Sequence, residues 1–405
     1  MSTHASIGVR LPRQALGWLA VLAAVAAPRA SWGSSVSPLV STPYNETQPM
    51  WSPDGTQVAY VSDESGAPQL HIINADGTGE WQVTTDAKGV AGPTWSPDSK
   101  SLLYSQLAPA PTRHLFKVKL SATRDSVDAF WDLMTSTTGV TGQHFRYSPD
   151  GSTIVTGWSN QGSVTLRTLA DRDGTATAAD WQSIGLGAQS NHPTWSPDGS
   201  LIAYAHASSG TVPSQLRIIQ PNGSGDTLVA PTASTGEHIW HLAWSQDGGA
   251  IAFSNWYDSP THLGIVNADG TGLLTLDTDS VIAHQAYSCL ADIWSADGQS
   301  ILYSRNDGGV WNLYMIDSDG TDKELIVSSL GDDQSARFSP DGKLMCFQTN
   351  RNGSWDIYVG AVPDVTVVPL PAPVAMGGIL LASGGIAGYL RKRRLARRDG
   401  EVVYD

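Results

Sequence analysis

The chain has 405 residues, a formal net charge of −14, 41 glycines and 23 prolines. Its acidity is concentrated in the middle, where residues 34–373 carry 15 basic and 35 acidic groups, a balance of −20. A surface of that sign repels phosphate backbones and excludes nucleic acid as a partner, while glycine and proline at this density suit a turn-rich all-β chain.

Residues 1–33 read as an export signal. Arg10 and Arg13 form a positive flank, Ala15 to Ala27 is a short apolar run, and Ser31 and Gly33 suit a peptidase cutting after Gly33. That run is too short to read as a spanning helix. Val36 to Thr42 follows, and it has the character of a fourth blade strand with no first strand before it.

Trp51-Ser52-Pro53-Asp54-Gly55 then opens a series of seven related turns. Trp95 to Ser99, Tyr147 to Gly151, Trp195 to Gly199, Trp244 to Gly248, Trp294 to Gly298 and Phe338 to Gly342 are the others, with aspartates 44, 52, 48, 49, 50 and 44 residues apart. Proline presets the second turn position, aspartate suits the third, and glycine accepts the left-handed backbone that follows. Apolar runs such as Val58-Ala59-Tyr60 come after the turn, and a third strand follows, as in Leu70 to Ile73, Leu263 to Val266, Leu313 to Ile316 and Asp356 to Val359. Further glycine turns, such as Asn74 to Gly77 and Asp317 to Gly320, lead to a fourth. A period of this size with four short strands predicts an all-β, seven-bladed β-propeller of four-stranded antiparallel blades over residues 34–362. The seventh repeat stops after its third strand, so the N-terminal strand Val36 to Thr42 is expected to complete that blade and close the ring.

Cys346 falls in the small apolar slot that Ala59, Ala203 and Ala252 occupy elsewhere, which reads as a buried thiol; a disulfide to Cys289 is the other reading. Asp171-Arg172-Asp173-Gly174 lacks the acid ladder of a calcium loop and reads as an ordinary turn.

Past residue 362 the character changes. Residues 363–373 form a proline-rich linker holding Val368, Pro369, Leu370, Pro371 and Ala372. Residues 374–390 are apolar and just long enough for a single transmembrane helix. Residues 391–405 begin with Arg391, Lys392, Arg393 and Arg394, which mark a cytoplasmic side. The propeller is then expected outside the cytoplasm, in the outer envelope or at the cell surface, initially anchored in the inner membrane. A monomer is expected.

The Trp-Ser-Pro-Asp-Gly turn with its Ile-Ala-Tyr-like and Leu-Tyr-Val-like strands resembles the TolB-like propeller repeat (PD40, WD-type) over about residues 36–362. The tail resembles a PEP-CTERM sorting signal of the Val-Pro-Leu-Pro-Ala type, with Val368 to Ala372 matching its motif. That resemblance implies recognition and cleavage by an exosortase; the residues alone also fit a plain single-span anchor. Propellers with these repeats occur in front of prolyl-oligopeptidase-like hydrolases, which need Gly-x-Ser-x-Gly on a strand-to-helix elbow. Gly157-Trp158-Ser159-Asn160-Gln161 lacks the final glycine and lies in a β-hairpin.

Two sets of side chains are candidates for function. His144, His192 and His241 each lie three residues before the turn aromatic of repeats three, four and five, and Gln48 holds the same place in repeat one. Equivalent positions on innermost strands face one central channel, where neutral imidazoles can ligate a divalent metal or hydrogen-bond to loops and waters. Oligogalacturonate lyases resemble this arrangement and imply a histidine-and-glutamine metal site. Trp158 and the pair Trp256 and Tyr257 are expected in turns at the same end, where aromatic planes suit a sugar or peptide ligand. Two functions follow. One is an exported, non-catalytic binding scaffold for a protein or polysaccharide at the cell envelope. The other is a metal-dependent lyase or hydrolase of acidic polysaccharide.

Overall fold

The computed structural model describes residues 36–362 apart from 108–113, 135–139, 161–162, 178, 186–189, 207–214, 232–238, 256–260, 279 and 282–292. Among these residues there are seven four-stranded antiparallel sheets, six built in chain order from the innermost strand outward and the seventh taking its outermost strand from the N-terminal end. Blade 1 comprises Glu46–Trp51, Gln57–Ser62, Gln69–Asn74 and Trp81–Gln82. The innermost strands of blades 2 to 5 are Val90–Trp95, Val140–Tyr147, Ser190–Trp195 and Ile239–Trp244. Blade 6 begins with the short Ser280–Val281, and blade 7 with Asp333–Phe338.

Each blade's first hairpin is held by the serine and aspartate of the repeated turn. In blade 1 the Ser52 hydroxyl donates to Asp54 Oδ1 at 2.7 Å while accepting the Gln57 amide at 3.0 Å. The same serine-to-aspartate bond recurs at 2.7, 2.5, 2.6, 2.6, 2.5 and 2.7 Å in the six later copies. One hydroxyl thus closes the turn and satisfies a strand amide that the tight loop leaves without a ladder partner. Gly55, Gly151 and Gly199 sit at φ values of 71°, 73° and 71°, the left-handed region that the turn requires.

Between blades the indoles act as pins. Trp95 Nε1 donates to the Met50 carbonyl, Trp244 Nε1 to that of Thr194 and Trp294 Nε1 to that of Ala243, each at 3.2 Å. Blades 2 and 3 share a charged link as well. The Lys117 ammonium, with its side chain 4 % exposed, lies 2.8 Å from Asp171 and 3.3 Å from Asp173. Those two aspartates are therefore part of an inter-blade ion pair, in keeping with an ordinary turn.

The N-terminal strand Val36–Val40 pairs antiparallel with Asp356–Ala361, the third strand of blade 7, through Val36↔Gly360 and Pro38↔Tyr358. The ring closes there as expected. Val40, Trp51, Val58, Tyr60, Ile73, Cys346 and Ile357 form one buried cluster that joins the last blade to the first. Polar bonds cross the same seam: Glu46 N donates to the Trp355 carbonyl at 2.6 Å, and buried Arg337 donates through Nε to the Pro49 carbonyl at 3.0 Å. Cys346 is completely buried; Cys289 lies outside the described residues.

Candidate functional site

The innermost strands carry a feature that turn spacing does not announce. Three residues before the aromatic, the backbone turns left-handed, with φ of 59° at Gln48, 68° at Gly92, 56° at His144, 54° at His192 and 56° at Ser335. The pairing register slips at the same place in each of these strands, between Thr47 and Met50 in blade 1 and between Asn191 and Thr194 in blade 4. This is a β-bulge repeated around the ring, and it re-aims the residue that occupies it. Left-handed backbone at a non-glycine residue costs of order 1 kcal/mol or more. The one glycine in the series, Gly92, was the only sign of it in the sequence.

Two of the histidines, His144 and His192, occupy these bulges, and His241, paired with Ser254 just past the register shift of its own strand, lies beside them. The rings of His144 and His192 lie 3.8 Å apart between centroids at a 42° tilt, and those of His192 and His241 lie 6.2 Å apart, edge to face. All three are buried, at 6 %, 7 % and 3 % exposure. His241 Nδ1 lies 3.2 Å from the Ser254 hydroxyl on the neighbouring strand. Burial pushes the proton affinity of His144 and His192 well below the usual imidazole range. The charge of Arg146 and the neighbouring imidazoles push in the same direction. These two rings are neutral at physiological pH.

Gln48 has a different task. Its side-chain oxygen accepts the bulge amide of Gly92 at 2.7 Å, and its own amide donates to Gln348 Oε1 at 3.0 Å. It ties blades 7, 1 and 2 together and is committed away from the histidines. The trio was also tested as a metal centre. Three imidazoles on one ion, with nitrogens about 2.1 Å from it, hold their ring centres about 5 Å apart. Here one pair lies closer, at 3.8 Å, and the other stands farther off, at 6.2 Å. Among the described residues, no group of three or more His, Cys, Asp or Glu side chains is arranged to hold a metal. The residues as placed do not fit the ion.

Trp158 is a correction. It lies inside the strand Thr153–Asn160, paired with Gly142 and Thr165, because the hairpin runs on to Asn160 and Ser163 before turning. Only 1 % of it is exposed, with Trp181 packed 5.6 Å away and the Arg167 guanidinium 4.4 Å over its ring. It is a blade-packing residue and presents no face to a ligand. Trp256 and Tyr257 lie outside the described residues, as do Val368 to Ala372, the apolar segment 374–390 and Arg391 to Arg394. Among the described residues no helix is long and apolar enough to cross a membrane.

Fold, repeated turn and ring closure together define a seven-bladed β-propeller. The family model of the TolB beta propeller domain, PD40, matches residues 32–174 and 236–371, and the chain belongs to that family. Among solved structures it is similar to an oligogalacturonate lyase in complex with manganese, with a TM-score of 0.62 and 16 % identity, over 83 % of this chain and 95 % of that one. An oligogalacturonate lyase from Vibrio parahaemolyticus gives the same score and identity over 81 % and 94 %. At this identity the likeness is one of fold. Among curated proteins, 58 residues are 45 % identical to an uncharacterized peptidase, YuxL, of Bacillus subtilis (strain 168), covering 14 % of this chain. A stretch of 73 residues is 36 % identical to dipeptidyl-peptidase 5 of Porphyromonas endodontalis, covering 18 % of this chain. The chain spans only 9 % and 11 % of the length of these curated relatives.

Proposed function

We propose that the propeller is an exported, non-catalytic binding scaffold of the cell envelope. The observation that supports this most is the state of the histidine trio. The side chains best suited to catalysis are nine-tenths buried and packed on one another across three blades, with His144 and His192 held neutral, and they serve the ring's interior.

A second reading draws on the same imidazoles. They are three, they are adjacent, and the fold is similar to that of a manganese-bound oligogalacturonate lyase. If the rings turn to converge, His144, His192 and His241 become a divalent-metal site for an enzyme of acidic polysaccharide. Metal analysis of the purified chain, together with a polygalacturonate assay in Mn2+, separates the two. The scaffold reading expects metal far below one equivalent and no unsaturated uronate product. Stoichiometric metal and turnover, both lost in the triple His144, His192, His241→Ala variant, would establish the enzyme instead.

The sorting of the chain belongs to the same proposal. Residues 1–33 direct export, residues 374–390 hold the protein in the inner membrane with Arg391 to Arg394 on the cytoplasmic side, and an exosortase-type enzyme processes it near Val368 to Ala372. In a host with such an enzyme, the surface protein should lose the residues from Val374 onward by mass spectrometry. An intact tail on that protein leaves a plain membrane anchor.

A further inference from the structure

Asn-Gly-Ser occurs twice in the sequence, at Asn222-Gly223-Ser224 and at Asn352-Gly353-Ser354. Asparagine is chemically labile, and before glycine it is most so, because the glycine amide has no Cβ to keep it from the side-chain carbonyl. Both asparagines are exposed, and both glycine amides are held alike: Gly223 N donates to the Gln220 carbonyl and Gly353 N to that of Asn350, each at 2.9 Å. Local sequence, exposure and backbone bonding therefore do not distinguish the two. Their side chains do. Asn222 lies in the turn between Gln215–Ile219 and Thr227–Pro231, the third and fourth strands of blade 4. Its Oδ1 accepts the Ser224 amide at 2.9 Å and the Ser224 hydroxyl at 2.7 Å; that hydroxyl also reaches Gln220 Oε1 at 3.0 Å. Among the described residues nothing bonds Asn222 Nδ2. At Asn352 the arrangement is reversed. Its Nδ2 donates to Asp356 Oδ2 at 2.9 Å and to the Tyr358 hydroxyl at 3.1 Å, while the Ser354 hydroxyl is turned to the Thr42 carbonyl at 2.9 Å.

The same turn in blades 1, 5 and 6 carries aspartate where blade 4 has Asn222. Oδ1 of Asp76, Asp269 and Asp319 accepts the amide and hydroxyl of Thr78, Thr271 and Thr321 at 2.9 and 2.6 Å in every copy. Those threonine bonds hold the carboxyls of Asp76 and Asp319 below the usual carboxylate range. A carboxylate is thus the group that this turn accommodates elsewhere in the ring.

We propose that Asn222 is a self-modification site, which in the folded chain loses ammonia and becomes aspartate, while Asn352 is held intact. Once its bond to Gln220 opens, Gly223 N gives up its proton to hydroxide and attacks Asn222 Cγ. Negative charge gathers on Oδ1, where the two Ser224 donors already point. The Cγ–Nδ2 bond breaks, ammonia leaves with a proton from water, and a cyclic imide remains. Water then adds at Cγ and reopens the ring to a carboxylate, so one water is consumed and one ammonia released overall. Reopening the other way gives isoaspartate, whose lengthened backbone does not fit a turn closed by the Gly223–Gln220 bond and by Gln220 N on the Ser224 carbonyl at 2.9 Å. The product is a more acidic form of the propeller, with the blade 4 turn matching those of blades 1, 5 and 6. This does not depend on the scaffold reading.

The test incubates the purified full chain at mildly alkaline pH in water enriched in the heavy oxygen isotope, with peptide mapping by mass spectrometry over time. In the folded chain Asn222 should convert about tenfold or more faster than Asn352, gaining one heavy oxygen. In urea the identical tripeptides lose their different surroundings and should react within about twofold of each other. Ser224→Ala removes one donor to Oδ1 and should slow Asn222 by about threefold or more in the fold, with its rate in urea unchanged. Ser224→Thr, which installs the residue of the other turns, should keep the folded rate. Isoaspartyl methyltransferase should label the product formed in urea and leave the folded product unlabelled. If Ser224→Ala does not fold, the ratio of the two sites in the wild-type chain still decides. The proposal is overturned if Asn222 of the folded chain gains no heavy oxygen, if Asn352 keeps pace with it there, if Ser224→Ala leaves the folded rate unchanged, or if isoaspartate is the main folded product.

Discussion

Removing residues 34–43 should lower the thermal midpoint of the whole propeller by about 10 °C or more, with a single transition rather than loss of one edge. The deleted stretch contains the strand Val36–Val40, which supplies the fourth strand of blade 7, and the buried Val40 that joins the seam cluster. Each apolar side chain withdrawn from the seam costs about 1.5–3 kcal/mol, and the ladder to Asp356–Ala361 is lost with it. The sum approaches about 5 kcal/mol, a large share of the roughly 5–15 kcal/mol that stabilises a typical domain. Because the cluster holds residues of both blade 1 and blade 7, the loss spreads through the ring. Calorimetry checks the midpoint. A synthetic peptide of residues 34–43, added in excess, should recover part of it by seating on the exposed edge of Asp356–Ala361. An unchanged midpoint in the deletion removes closure as a source of stability.

The second large effect is acid lability set by the bulge histidines. Burial depresses the affinity of His144 and His192 for protons in the fold, whereas in the unfolded chain they titrate near 6.5. Below that pH the unfolded chain binds more protons than the folded one, so stability is fully present above about 6.5 and falls as the pH drops. Each ring that stays neutral in the fold contributes a slope of up to about 1.4 kcal/mol per pH unit. Two rings contribute up to about 2.7 kcal/mol per unit, enough to dominate urea melts between pH 6.5 and 5. His71 and His206 are shifted down by burial too and add to the slope. Glu46 works in the opposite direction, since burial raises its carboxyl and makes its share of stability fall as pH rises. The difference between wild type and a double variant isolates the pair. Asparagine is the right replacement, because it tolerates left-handed backbone and does not titrate. His144→Asn with His192→Asn should flatten the acid limb, and an undiminished slope in that variant would assign it to other groups.

Much of this architecture is legible in the residues, because a turn that needs proline, aspartate and glycine in order leaves a mark each time it is made. Closure is legible for a similar reason: one strand is left over at the front and one is missing at the back. The bulge is not. Its occupants are Gln48, Gly92, His144, His192 and Ser335, residue types with no common signature, and only left-handed backbone unites them. The adjacency of the histidines followed from register, but the close tilted packing of His144 on His192 did not, since it depends on how far each bulge turns its ring. Trp158 was misread because hairpin length decides whether a tryptophan sits in the ladder or in the turn, and with glycines at both 157 and 162 the text does not show which of them marks the reversal. The link from Lys117 to Asp171 joins side chains 54 residues apart, and no local pattern connects them.

Closure by the first strand also sets an order of events. Val36 meets Gly360, about 320 residues further along, so the earliest segment made has no native partner until nearly the last is finished. At about 5–20 residues per second, synthesis keeps that strand waiting for tens of seconds. Blades 1 to 6 have all their strands in sequence and are free to form as they emerge, each on the one before. Blade 7 cannot, and until the final strand arrives the nascent ring is an open arc with a sticky edge at either end. The slowest contact to form is also the one that seals it, so a chaperone or a second unfinished copy has its opportunity in that interval and at those two edges.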